Sequence, residues 1–112
     1  MESNLPLPPA TFYILFALAG GEKHGYAIMR EARVISEGAF DLGPATLYTT
    51  IQRLLDSGWI EEVASPEGCD SRRRYYGLTA PGNSAFQAEL QRMESIVMRS
   101  KALGMRSAES AS

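Results

Sequence analysis

The stretch from Gly43 to Ile60, GPATLYTTIQRLLDSGWI, constrains the fold more than any other part of the chain. It reads as a short helix that stops at a glycine and passes straight into a strand. Pro44 suits the first helical position, where a missing N–H costs nothing, and Gly43 before it can serve as the N-cap. Leu47, Ile51, Leu54 and Leu55 recur at helical spacing and form one apolar stripe. Ala45, Thr46, Thr49, Gln52 and Arg53 fall on the other side, and Gly58 ends the helix as a left-handed residue can. The outward face is small and hydrogen-bonding near its N-terminus, with one arginine further along. That composition suits a helix whose first turns enter a DNA major groove, where hydroxyl, amide and guanidinium groups read base edges. An ordinary amphipathic surface helix also has a polar outer face, so the rest of the chain must decide between the two.

At 112 residues the chain has room for one core. Its 45% apolar content is that of a globular protein. The formal net charge of −2 and the pI near 5.4 argue against strong sequence-independent nucleic-acid binding, which depends on lysine and arginine neutralising phosphates. A DNA-binding role would therefore use locally placed cations on an acidic body. One cysteine excludes an internal disulfide framework and fits a reducing compartment. The apolar run Ala10 to Ala19 is too short to span a membrane. Its upstream flank, Met1-Glu2-Ser3-Asn4, has an acid and no basic residue, unlike a secretory signal. A buried helix in a cytoplasmic protein is expected.

Pro8 and Pro9 mark the start of a first helix and Gly20-Gly21 its end. Phe12, Ile14, Leu15, Phe16 and Leu18 make it apolar on most sides, as in a core or a subunit interface. A second helix is expected from Lys23 or His24 to Ser36, with Ile28, Ala32 and Ile35 inward and Arg30 and Arg33 outward. Gly25 near its start suggests a close approach by the first helix. With the Gly43–Gly58 helix this makes a three-helix unit compatible with a helix-turn-helix. Two strands follow, Trp59 to Ala64 and Arg72 to Leu78, around the turn-rich loop Ser65 to Ser71. Strand alternation places Arg74, Tyr76 and Leu78 on one face and Arg73 and Tyr75 on the other.

From Thr79, a capping residue, a long helix runs with Pro81 in its first turn. Phe86, Leu90, Met93, Val97 and Ser100 follow a heptad-like spacing. A domain this small has little core to cover such a seam, so a second copy of the chain is the favoured partner over a fold-back. The expected architecture is mainly α with a small β-hairpin: a winged helix-turn-helix over residues 7–79 after an extension at 1–6, a dimerisation helix at 80–103, and a frayed tail at 104–112.

Four motifs in order resemble the PadR family of bacterial transcriptional regulators. They are Leu15 to Leu18 followed by His24-Gly25-Tyr26; Pro44-Ala45-Thr46-Leu47-Tyr48; Leu54 to Ile60; and Arg73-Arg74-Tyr75-Tyr76-Gly77-Leu78-Thr79. The resemblance covers about residues 7 to 103 and is similar to the branch with a single C-terminal helix. It implies a homodimeric winged-helix repressor on an inverted-repeat operator, often responsive to a ligand. Family members often carry serine at the position of Gly43 and proline at that of Thr49, so the bases read here are not carried over.

The residues expected to meet DNA are Ala45, Thr46 and Thr49 at base edges, Tyr48 and Arg53 at phosphates, and Arg72, Arg73 and Arg74 in the wing. The arginine run could instead offset Glu61, Glu62, Glu67 and Asp70. The dimer surface is expected from Phe12, Phe16, Phe86, Leu90, Met93 and Val97. A cavity among Phe12, Phe16, Phe86, Leu90 and Met93 could hold a small aromatic or apolar effector, or be filled. His24 and Tyr26 are expected to fix the start of the second helix, and a lone histidine makes a metal site improbable. Cys69, beside acidic neighbours, is a poor redox switch. No cofactor is expected, and no nucleophile–base set for an enzyme is present. The acidic pI keeps open a winged-helix adaptor that binds protein rather than DNA.

Overall fold

The computed structural model of the chain describes residues 5–66 and 72–104. Its elements run α1 (Pro9–Ala19), β1 (Lys23–His24), α2 (Gly25–Ile35), α3 (Pro44–Ser57), β2 (Ile60–Val63), β3 (Tyr75–Leu78) and α4 (Ala80–Ala102). α1 forms the hub and packs against α2, α3, α4 and β3. Its apolar surround is why: Phe12, Ile14, Leu15, Ala17 and Leu18 are all buried. The inward stripes of the other helices meet it, Ile28 and Ala32 from α2 and Leu47, Ile51 and Leu54 from α3. Full burial of aliphatic side chains such as Ile14, Leu15, Ile28 and Leu47 is worth roughly 1.5–3 kcal/mol each.

α3 begins and ends as its residues dictate. Pro44 lies in its first turn behind an extended Gly43, and Gly58 is left-handed at φ 79°. The Gly58 N–H bonds to the Leu55 carbonyl and the Trp59 N–H to that of Leu54, the paired bonds of a Schellman end. The chain leaves this turn already extended, so β2 follows at Ile60.

The expected hairpin is one side of a three-stranded antiparallel sheet in the order β1-β3-β2. Lys23 and His24 belong to a strand rather than to the second helix, in register with Tyr76 and Tyr75. Both outer strands are short, and β3 lies between them. Both of its faces are covered: Tyr76 is buried in the main core and Tyr75 is buried with its ring edge-on to His24 at 5.3 Å. β3 starts at Tyr75, so Arg72 to Arg74 precede the strand and escape its alternation.

Thr79 caps α4 as expected. Its Oγ1 accepts from the Gly82 N–H at 3.2 Å and donates to the Gly58 carbonyl at 2.6 Å, which ties the start of α4 to the end of α3. The first half of α4 is not bare. Phe86 is buried and packs with Phe12 and Phe16 at centroid distances of 5.8 and 5.3 Å. Glu89 is buried at 1% exposure. Its carboxylate takes a two-pronged contact from Arg92, Nε to Oε1 at 2.7 Å and Nη2 to Oε2 at 3.0 Å, and also accepts the Leu7 N–H at 3.2 Å. The Arg92 hydrogen bond, against the cost of burial, holds this carboxyl below its ordinary pKa. The N-terminal segment is thereby fastened to α4. Beyond Met93 the helix loses its cover: Ile96, Val97, Met98 and Leu103 are exposed, and the protein is 56 Å long against 31 and 24 Å across.

Candidate nucleic-acid interface

The outward face of α3 is the one the residue pattern predicts. Ala45, Thr46, Tyr48, Thr49 and Arg53 are all exposed, while Leu47, Thr50, Ile51 and Leu54 face the core. Gln52 on the same side is held by Asp56, its Nε2 donating to Oδ1 at 3.0 Å. The first turns of α3 thus offer small side chains, two hydroxyls and a phenol.

Beside Tyr48 lies an open cleft of about 480 Å³. The first turn of α2 forms one wall with His24, Gly25 and Tyr26; Arg72, Arg73 and Arg74 form another; Tyr76 lies among them. All three wing arginines line this one cleft, contrary to the alternation expected for a strand, because they sit in the turn before β3. Arg74 reaches Glu62 at 3.4 Å, and both side chains are well exposed. Such a pair contributes little to stability, and it is one instance of the charge-offsetting alternative; Glu67 and Asp70 lie outside the described residues.

Gly25 does admit a close neighbour, but from α3 and not from α1. A Cβ on Gly25 would stand 2.6 Å from the Tyr48 hydroxyl oxygen and 3.0 Å from its Cζ. The Tyr48 ring therefore lies across the start of α2 with its hydroxyl at the cleft, while the residue remains 52% exposed.

His24 fixes the start of α2, as expected. Its backbone is extended and its Nδ1 accepts the Ala27 N–H at 3.2 Å. Its Nε2 lies 2.8 Å from Arg73 Nη1. Both neighbours are donors, and a neutral imidazole has one unprotonated nitrogen, so they compete for a single lone pair. Burial, then Arg73 and Arg30, push the ring pKa below its ordinary value, so the neutral form prevails. Arg30 itself stacks over the exposed Tyr26 ring at 5.3 Å. Among the described residues, no group of three or more histidine, cysteine, aspartate or glutamate side chains could hold a metal ion. Cys69 lies outside the described residues.

The residues expected at a dimer surface divide by burial. Phe12 and Phe86 are inside the protomer, Leu90 and Met93 are half-buried, and Phe16 and Val97 are exposed. The ring contacts among Phe12, Phe16 and Phe86 occupy much of the space an effector cavity there would need, which agrees with the filled alternative. A groove on the outer half of α4 runs between Arg92, Ile96, Arg99 and Leu103.

The model of the Transcriptional regulator PadR-like family matches residues 14–88, two thirds of the chain, from the middle of α1 through the first part of α4. The chain belongs to the PadR-like family. Members of this family are transcription regulators rather than enzymes. This PadR-like chain is similar to a transcriptional regulator from Clostridium thermocellum, at 26% identity and a TM-score of 0.62 over 85% of this chain and 89% of that one. It shares its fold with a PadR family transcription regulator from hypervirulent Clostridium difficile, at 24% identity and a TM-score of 0.71 over 86% and 98%. It shares it also with Bacillus subtilis PadR, solved in complex with operator DNA, at 24% identity and a TM-score of 0.62 over 71% of this chain and 45% of that longer one. No curated protein matches the chain. No described helix of this PadR-like protein is long and apolar enough to cross a membrane.

Two residues of the cleft escaped the sequence reading. Gly25 meets α3 rather than the first helix, and Tyr76, a wing-strand residue, also lines the cleft. The signal for both lay in the His24-Gly25-Tyr26 and Tyr75-Tyr76 motifs, which mark positions without saying what they touch.

Proposed function

We propose that this chain is a sequence-specific, DNA-binding transcriptional repressor of the cytoplasm. It acts as a homodimer on an inverted-repeat operator. The observation that carries this reading is that Tyr48, on the exposed outward face of α3, lines one cleft with the three wing arginines. Ala45, Thr46 and Thr49 read base edges, Tyr48 and Arg53 hold phosphates, and Arg72 to Arg74 follow the backbone beside them. The operator complex of the Bacillus subtilis relative supports this use of the fold. The dimer is supported by the exposed Ile96, Val97 and Met98 on α4 and Leu103 just past its end, apolar surface that a small monomer rarely leaves open. An aromatic effector that releases the operator would enter between the copies, beside the exposed Phe16.

Titration of the purified protein against its own promoter region tests the reading. A footprint that weakens with salt is expected, and substitution of Thr46 or Thr49 should change the preference among operators. The protein adaptor favoured by the net negative charge predicts no footprint even at low salt. Loss of the footprint on adding a panel of aromatic compounds would identify an effector.

A further inference from the structure

Tyr76 is 3% exposed, yet its hydroxyl has no hydrogen-bond partner among the described residues. Buried tyrosine hydroxyls ordinarily find one. No sealed polar side-chain atom in the described structure lacks a partner, so this oxygen is not sealed; it opens on the cleft that Tyr76 lines. Burial raises the phenol's pKa, with Arg74 opposing and Glu62 and Tyr48 adding to the rise, so the group is a neutral O–H donor. Tyr48, whose hydroxyl Gly25 admits to the start of α2, lines the same cleft. Arg73 reaches it too, held only by a lone pair for which the Ala27 N–H competes. Among the described residues no carboxylate lines the cleft, and the acid that acts on the Tyr76 phenol, Glu62, is paired with Arg74. Among the described residues donors converge there, and the His24 ring nitrogen that Arg73 meets is already contested.

We infer that this cleft is the seat of one DNA backbone phosphate, to which Tyr76 and Tyr48 donate their hydroxyls while Arg73 turns from His24 to the anion. The inference rests on the DNA-binding reading above and adds a buried donor from the sheet. A neutral donor releases no counterion, so its signature differs from that of an arginine. It fixes where the wing sits relative to α2 and α3 and carries no base preference.

The test is Tyr76→Phe, which keeps the ring in the core and removes only the O–H. Binding is measured by anisotropy on specific and unrelated duplexes across a salt series, with a thermal melt of each protein. Expected is a loss of about tenfold per half-site on every duplex, an unchanged salt slope and an unchanged melt. A scan of single methylphosphonate substitutions should find one position per half-site at which Tyr76→Phe brings no further loss. Equal affinity of wild type and Tyr76→Phe would overturn the seat and leave the DNA reading standing. Failure of the wild type to bind any duplex would overturn both. If millimolar inorganic phosphate perturbs the Tyr76 ring resonances while duplex affinity ignores the substitution, the cleft serves a free anion and the assignment to DNA is overturned.

Discussion

Gly25→Ala should leave this protein folded and weaken its hold on DNA. The added methyl would lie 2.6 Å from the Tyr48 oxygen, and the three atoms nearest to it all belong to the Tyr48 side chain. Ordinary contact begins near 3.4 Å, so the hydroxyl must retreat by about 0.8 Å. Tyr48 is half exposed at the end of a rotatable side chain, and it can do so. An O–H···O bond set near 2.7 Å and stretched by that amount is no longer a hydrogen bond. The loss is then the worth of a bond to a charged phosphate, about 1.5–3 kcal/mol, or roughly 10- to 100-fold per half-site. Stability should move the other way, if at all. Gly25 is the first residue of α2 and its φ is not positive, so alanine there restricts the unfolded chain and adds up to about 1 kcal/mol.

The assay pairs operator anisotropy with thermal denaturation for four proteins: wild type, Gly25→Ala, Tyr48→Phe and the double variant. The double variant should bind no worse than Tyr48→Phe, since both changes remove one bond. Wild-type affinity in Gly25→Ala would refute the argument. So would losses that add in the double variant, because the methyl would then be acting through something other than Tyr48.

Arg73→Ala should weaken binding to all duplexes and lower the salt slope by about 1 per half-site, read from affinity against salt concentration. Leu90→Asp with Val97→Asp should give a monomer by sedimentation, with operator affinity falling to the level of a single half-site. Glu89→Gln should lower the melting temperature at pH 7, because Arg92 and the Leu7 N–H lose a charged acceptor. The sign with pH follows from the depressed folded pKa. The stabilisation is complete above the unfolded value of 4.5 and is lost as pH falls through the lower folded value, so melts of Glu89→Gln should show a flatter acid limb.

Local chemistry made much of the fold legible. Gly58 stops α3, Thr79 caps α4 and the α3 stripe faces inward because each follows from residues a few positions away. The errors fall where a distant partner decides. Lys23 and His24 are a strand only because Tyr76 and Tyr75 lie beside them, and two residues carry no periodicity of their own. Arg72 to Arg74 share a cleft because the strand starts after them. Glu89 and Arg92 look like an ordinary surface pair on a helix, and what buries the carboxylate is packing together with a backbone N–H 82 residues earlier in the chain. Gly25 announces a close approach, but sequence cannot say by whom; Tyr48 is 23 positions on, in another helix.

The same placement resolves the tension between an acidic chain and a polyanionic ligand. A net charge of −2 counts every carboxylate equally, whereas a phosphate responds to those near it. Glu89 is buried against Arg92, and Asp41 is paired with Arg33 at 2.8 Å. Glu62, which meets Arg74, is a wing acid in contact with the cleft's cations, yet it does not line the cleft. Among the described residues, the cleft presents arginines and the Tyr48 and Tyr76 phenols and is lined by no carboxylate. Long-range attraction is therefore weak, and a random duplex gains little from approaching. Most of the affinity must come from donors that act only at contact: the Tyr48 and Tyr76 hydroxyls at a phosphate and the threonines at base edges. A protein built this way discriminates well for its affinity, because the sequence-independent charge term that favours every duplex is small. Adding cations outside the cleft, for example by Glu61→Lys, should thus raise binding to unrelated DNA more than to the operator. A rise of equal proportion on both duplexes in the same salt would show that contact donors do not set the specificity.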